Sequence, residues 1–249
     1  MGSESEDGWS MKRTMEIISS VFIWIFGLAI AVPALLMIII MAILLPVRIY
    51  NRPGRALLRL IIRVFGGRVT AEGVEKLDPQ KTYLFMPNHV SLFDIPLVGG
   101  IIPNYARGVE AAEHFNWPLI GWFVRSIGNI PIERSSIHSS WSSLEKAASQ
   151  IRGGKSIIIM PEGTRTRSGR LGSFKKLPFR LAQIAGVDIV PIGLSGLFSF
   201  KPRDGWIVRP GPLKMKVGDP IPYEQFKEYE LQKLSDLVHD RIESLIEYP

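Results

Sequence analysis

Apolar side chains along this chain change their spacing twice. From Ile17 to Val47 they run 31 residues without a charge, IISSVFIWIFGLAIAVPALLMIIIMAILLPV. As one helix this stretch would extend roughly 46 Å, beyond a hydrocarbon core of about 30 Å. It is too long for a signal-peptide core, and no small-residue cleavage site follows it. Residues 12–66 are therefore expected to form helical membrane anchors. One arrangement is a single tilted or kinked span. The other is a helical hairpin broken near Pro33, with both ends on one side. Lys12 and Arg13 precede the stretch, and Arg48, Arg52 and Arg55 follow it. Positive flanks on both sides favour the hairpin, with the rest of the chain on the cytoplasmic face of the cell membrane. Next comes RALLRLIIRVFGG, where Arg55, Arg59 and Arg63 recur every fourth residue. That is a basic amphipathic helix suited to a headgroup layer, the alternative being a helix packed on the domain. Residues 1–11 read as a disordered tail, and Glu6 stands where myristoylation needs serine or threonine.

Beyond residue 66 short β-branched runs alternate with longer helical patterns. Strands are expected at RVTAEG, TYLFM, YARGV, NIPIE, SIIIM, DIVPIGL, WIVRP and LKMKVG. Helices are expected at about 94–102, 138–152, 176–186 and 223–247. Such alternation predicts one α/β domain over 67–249, its sheet mixed but largely parallel and flanked by helices. Ligands of these folds sit beyond the carboxyl ends of the strands, where several polar clusters of this chain fall.

Composition narrows the chemistry. The 249 residues are 46% apolar, which excludes disorder. A net charge of +7 calls for an anionic partner. Beside a membrane anchor, that partner is expected to be an anionic bilayer surface and not nucleic acid. There is no cysteine, hence no thiolate metal site or cysteine nucleophile. The four histidines form no H-x-x-x-H or H-E-x-x-H pair, so no metal site is expected.

Two clusters carry candidate chemistry. In PNHVSLFD, His89 falls in the turn after the TYLFM strand, because Pro96 keeps regular helix from starting much before residues 93–94. Asp94 then opens a helix and can reach back toward the imidazole. It can equally be a helix cap, since Ser91-x-x-Asp94 has capping-box spacing. In MPEGTRTRSGR, an apolar strand ends at Pro161, and Glu162, Gly163, Thr164 and Arg165 form the turn beyond it. Gly163 permits close backbone approach, and the Arg165 guanidinium offers paired donors to phosphate oxygens. Glu162 can orient Arg165 or accept from a ligand hydroxyl. Arg167, Arg170, Lys175 and Lys176 add positive charge nearby, in what can equally be a solvated basic loop. The stretch GNIPIER is a strand ending in Arg134. Ser195, in G-L-S-G-L, lacks the last glycine of a nucleophile elbow.

Taken in order, NHVSLFD, GNIPIER, PEGTR and IVPIGLSG resemble the four sequence blocks of the glycerolipid acyltransferase family, and within it the bacterial 1-acylglycerol-3-phosphate acyltransferases. The resemblance covers about residues 70–215. It implies transfer of an acyl chain from a thioester, on acyl carrier protein or coenzyme A, to the 2-hydroxyl of lysophosphatidic acid. The thioester is then a co-substrate, and no bound cofactor is expected. Carried over, His89 is the general base, and Asp94 sets its tautomer and stabilises the imidazolium. Glu162, Gly163, Thr164 and Arg165 match the acceptor-binding block, and Arg134 matches a second phosphate-facing arginine. The thioester carbonyl also needs oxyanion donors, for which backbone N–H groups near the 89–94 turn are unassigned candidates. Family members often carry lysine where this chain has Ala111 and Ala112, so the lysine completing the phosphate site is open, with Lys175 and Lys176 as candidates.

Overall fold

The computed structural model describes residues 6–133 and 137–248, with side chains from 11 to 133 and 142 to 248. Two helices lead, α1 (Glu6–Leu44) and α2 (Val47–Val64). There follow β1 (Gly67–Glu72), β2 (Leu84–Pro87), α3 (Asp94–Ile101), β3 (Ala106–Ala111), α4 (Ile120–Ser126), β4 (Ile130–Ile132), α5 (Ile137–Arg152) and β5 (Ser156–Ile158). The chain then forms α6 (Leu177–Ala185), β6 (Ile189–Ser195), α7 (Leu197–Phe200), β7 (Gly211–Val217), α8 (Tyr223–Phe226) and α9 (Leu231–Glu243).

Among the described residues seven strands form one sheet in the order β1-β7-β6-β2-β5-β3-β4. Neighbours are parallel except β6 and β7, so β1 and β7 run opposite to the other five. Central β2 pairs Phe85 with Ile158 of β5 on one side and Val190 of β6 on the other. Because side chains alternate across a strand, Phe85 enters one core while Leu84 and Met86 enter the other. The Phe85 core is closed by α1, α2, α3 and α7, and the Leu84 core by α5, α6 and α9. The mixed, largely parallel α/β sheet expected of the sequence is thus present. β2, β5 and β6 are wholly buried, as parallel strands covered on both faces must be. Their carboxyl ends meet on one edge.

The N-terminal helices depart from expectation. α1 runs unbroken through Pro33, and the chain turns instead at Leu45–Pro46, where Pro46 is extended (φ −67°, ψ 150°). Proline within a helix removes one backbone hydrogen bond. Here that loss is offset by packing on both sides of it, with Ala31, Ala34 and Ile38 buried. α2 returns antiparallel to α1, placing Phe65 against Trp24 (ring centroids 5.2 Å apart) and Leu57 and Leu58 beside Ile38 and Ile39. A hairpin exists, but its second arm is the basic amphipathic helix. Arg55 Nη2 donates to the Ile101 carbonyl (2.8 Å) and Arg59 Nη1 to that of Gly100 (2.6 Å). These guanidinium groups serve the carbonyl-rich C-terminus of α3, where cations are favoured, so α2 is packed on the domain.

α1 also lies lengthwise against the globular domain. Glu16 pairs with Arg209 (2.9 Å), Trp24 Nε1 donates to the Trp206 carbonyl (2.7 Å), and Ile38 and Ile39 cluster with Phe123 of α4. From residue 16 to 39 that contact spans about 35 Å of helix. Residues Met11–Leu44 of the same helix are long and apolar enough to cross a membrane, by length and composition. Residues 1–5 lie outside the described residues, while Glu6 to Met11 are the first turns of α1 and not a disordered tail.

Two other expectations fail locally. WIVRP is no strand, because its backbone bonds elsewhere: Val208 exchanges hydrogen bonds with the Ser20 hydroxyl, and Arg209 N donates to the Phe200 carbonyl. The helix expected over 223–247 is broken between α8 and α9, where buried Phe226 anchors a turn and the Tyr229 carbonyl accepts from Gln183 Nε2 (2.7 Å).

Candidate active site

Strand β2 ends at Pro87, and Asn88 fastens the chain beyond it to β6. Asn88 Nδ2 donates to the Leu194 carbonyl (3.1 Å), and Leu194 N donates to Asn88 Oδ1 (2.7 Å). The next residue, His89, is thereby fixed at the edge where β2, β5 and β6 end. Asp94 is the first residue of α3 and is 0% exposed. Its Oδ2 lies 2.7 Å from His89 Nδ1 and accepts from Val90 N (2.7 Å) and Ser91 N (3.0 Å). Its Oδ1 accepts from Ser91 N at 3.0 Å.

Phe93 is the N-cap of α3 and carries no side-chain cap, so Asp94 binds the turn before the helix and is not its N-cap. The carboxylate reaches back to Ser91 N, the contact a capping box would make, and the same oxygens take the imidazole N–H. The forward half is missing: Ser91 Oγ donates to the Lys201 carbonyl (2.7 Å), and Asp94 N bonds to the Ser91 carbonyl (3.3 Å). Acceptance by Asp94 makes Nδ1 the protonated ring nitrogen and leaves Nε2 as the basic one. The ring is 22% exposed, so Nε2 can meet a ligand.

Glu162 follows β5 and is 5% exposed. Its Oε1 accepts from His89 N (2.6 Å) and its Oε2 from Gly172 N (2.9 Å). Through these two bonds it orients the histidine turn, and no contact to Arg165 occurs among its hydrogen bonds. Burial pushes the Glu162 carboxyl above its ordinary range, against the pull of the two N–H donors. Glu162→Ala would leave two buried donors unsatisfied, at about 1–3 kcal/mol each. The expected result is a lower Tm in thermal denaturation together with reduced kcat, because His89 loses its backbone anchor.

These bonds also narrow the oxyanion candidates. The N–H groups of His89, Val90 and Ser91 are all committed to carboxylates, so none of the three can serve a developing oxyanion. The remaining block residues arrive by the backbone. Thr166 N donates to the His89 carbonyl (2.8 Å), which sets Arg165 beside the histidine turn. Gly163 adopts φ +70°, a conformation that strains other residues, and the Lys175 stem lies over it. Lys175 and Lys176 are exposed. Arg134 lies outside the described residues. Ser195 is occupied structurally, its Oγ accepting from Glu247 N (2.8 Å). No cluster of three or more histidine or acidic residues able to hold a metal occurs among the described residues.

Two residues escaped the sequence reading. Arg203 Nη1 donates to Thr164 Oγ1 (2.8 Å) and to the Arg165 carbonyl (3.1 Å). Lys201 is 4% exposed, beside the histidine turn. Their only sequence signal is a K-P-R run after a strand that ends on the site edge.

A buried carboxylate thus grips an imidazole at the strand ends. The acyltransferase family model matches residues 68–195, more than half of the chain. This chain belongs to that acyltransferase family. It is 31% identical over 206 residues to a 1-acyl-sn-glycerol-3-phosphate acyltransferase of Cocos nucifera, covering 80% of this chain and 66% of that protein. It is 35% identical over 117 residues to a lyso-ornithine lipid O-acyltransferase of Pseudomonas aeruginosa, covering 47% of this chain and 44% of that one. The fold matches the crystal structure of the 1-acyl-sn-glycerophosphate acyltransferase PlsC from Thermotoga maritima with a TM-score of 0.79 at 21% identity, over 93% of this chain and 95% of that one. The chain spans between 44% and 66% of the length of several plant relatives.

Proposed function

We propose that this protein transfers an acyl chain from a thioester to the sn-2 hydroxyl of 1-acylglycerol-3-phosphate, forming phosphatidic acid. The observation that carries the reading is the 2.7 Å contact between His89 Nδ1 and the buried Asp94 carboxylate, with Nε2 left to face a substrate. As the acceptor hydroxyl attacks the thioester carbonyl, Nε2 takes its proton, and a new C–O bond forms. Asp94 stabilises the imidazolium that results. Collapse of the tetrahedral adduct breaks the C–S bond, and the imidazolium returns the proton to the departing thiolate. Atoms and charge balance without an acyl-enzyme, in keeping with a chain that has no cysteine. Arg165 is assigned to the phosphate of the acceptor. The donor is acyl-coenzyme A or acyl carrier protein.

The surface supports delivery of the acceptor lipid from a membrane. Along α1, Met11, Met15, Phe22, Phe26, Met37 and Leu44 are exposed on one stripe. Leu92, 45% exposed, stands between His89 and Asp94 in the turn itself. Such an apolar surface fits a protein seated in one leaflet of the cell membrane, on the cytoplasmic side, with its active site at the interface. Likeness to the lyso-ornithine lipid enzyme favours a second reading, in which the acceptor lacks a phosphate monoester. An acceptor panel decides between them. Lysophosphatidic acid should be acylated with the highest kcat/KM, and a higher value for lyso-ornithine lipid would replace the first reading by the second.

A further inference from the structure

Lys201 is a buried cation with no ion pair among the described residues. Its Nζ donates to the carbonyl of its own neighbour, Pro202 (2.8 Å). Arg165 is half-buried; its carbonyl is used, and its guanidinium has no ion pair among the described residues. The nearby carboxylate, Asp204, is directed at Arg167 (3.6 Å) and Arg203 (4.0 Å). Burial first, and then the neighbouring Arg165 charge, push the Lys201 ammonium below the ordinary lysine range. An ammonium almost wholly enclosed and with no ion pair among the described residues is a charge that a bound anion would relieve.

The backbone builds this arrangement deliberately close to the chemistry. The Lys201 carbonyl accepts from Ser91 Oγ (2.7 Å), inside the H-x-x-x-x-D turn, and Lys201 N donates to the Leu197 carbonyl (2.9 Å) at the end of α7. On the other side, Arg203 ties itself to Thr164 and Arg165, and Thr166 to His89. We infer that Lys201 is a second cation of the acceptor-phosphate site, pairing with Arg165 across the phosphate, with Arg203 positioning the Thr164–Arg165 turn. The inference rests on the phosphate-acceptor reading above. It makes Lys201 a specificity-determining residue, one that selects a phosphate-bearing glycerolipid over the same lipid without phosphate.

The test uses the full-length wild type, Lys201→Gln and Lys201→Arg, each with lysophosphatidic acid and with monoacylglycerol, and with glycerol 3-phosphate as competitor. Gln keeps a donor for the Pro202 carbonyl while removing the charge. KM for lysophosphatidic acid should rise about 10- to 100-fold in Lys201→Gln, as expected for a lost charge-assisted bond. Inhibition by glycerol 3-phosphate should weaken in parallel, kcat should be largely kept, and Lys201→Arg should restore part of the loss. The variant should also melt no lower than wild type, because an unpaired buried charge does not stabilise the fold. An unchanged KM and inhibition, a loss confined to kcat, or a Gln variant that fails to fold would each overturn the role of Lys201. Wild type that acylates monoacylglycerol as efficiently as lysophosphatidic acid would instead overturn the underlying reading. Loss of phosphate preference in Arg165→Gln but not in Lys201→Gln would leave that reading standing without Lys201.

Discussion

His89→Ala should lower kcat by at least about 10³-fold, the scale of a general base removed from its reaction. The loss should appear in kcat and hardly in KM for lysophosphatidic acid, because the phosphate is assigned to Arg165 and not to the imidazole. The fold should tolerate the change. The His89 backbone keeps its bonds to Glu162 and Thr166, and the ring is partly exposed, so its removal opens no large core cavity. Steady-state kinetics beside a thermal melt separates the two effects. Undiminished turnover in a folded His89→Ala protein would remove the imidazole from the mechanism.

Asp94→Asn should be nearly as damaging to rate and worse for stability. The carboxylate accepts from three donors at once, His89 Nδ1, Val90 N and Ser91 N. An amide has one oxygen to offer, and its NH₂ would face an N–H group or the ring nitrogen. If it faces the ring, Nδ1 becomes the acceptor and Nε2 carries the proton, which is the wrong tautomer for a base. Interchanging the tautomer in this way costs about 10⁴-fold in a comparable carboxylate–imidazole–hydroxyl system. Losing charge-assisted bonds at a fully buried site adds about 1.5–3 kcal/mol of destabilisation for each. The expected outcome is therefore a kcat collapse like that of His89→Ala together with a clear fall in Tm. A folded Asp94→Asn enzyme with normal kcat would show that the carboxylate only holds the turn.

Much of this site could be read from the chain because its parts are local. His89 and Asp94 are separated by one turn, so spacing and Pro96 suffice to place one in a loop and the other at a helix start. The strands leading to them are unbroken apolar runs, LFMP and IVPIGL, which parallel burial demands. Glu162 was visible as a site residue but not in its role, since its partner is the backbone of a residue 73 positions away. Lys201 and Arg203 were invisible for a related reason. They sit in irregular chain after α7, and their importance comes from Ser91 and Thr164, 110 and 39 positions distant. Pro33 misled because a proline signals a break only where no tertiary packing opposes it. Here α1 is held on both sides of that residue, and the chain turned at Pro46 instead.

The measurement closest to the central claim is a stoichiometry. Purified protein in vesicles receives 1-acylglycerol-3-phosphate and an acyl thioester, and free thiol and phosphatidic acid are counted together. Direct transfer through His89 requires one phosphatidic acid, acylated at sn-2, for every thiol released, and no thiol release when the acceptor is omitted. Thiol released without phosphatidic acid would mean that water is the acceptor, and would contradict the assignment.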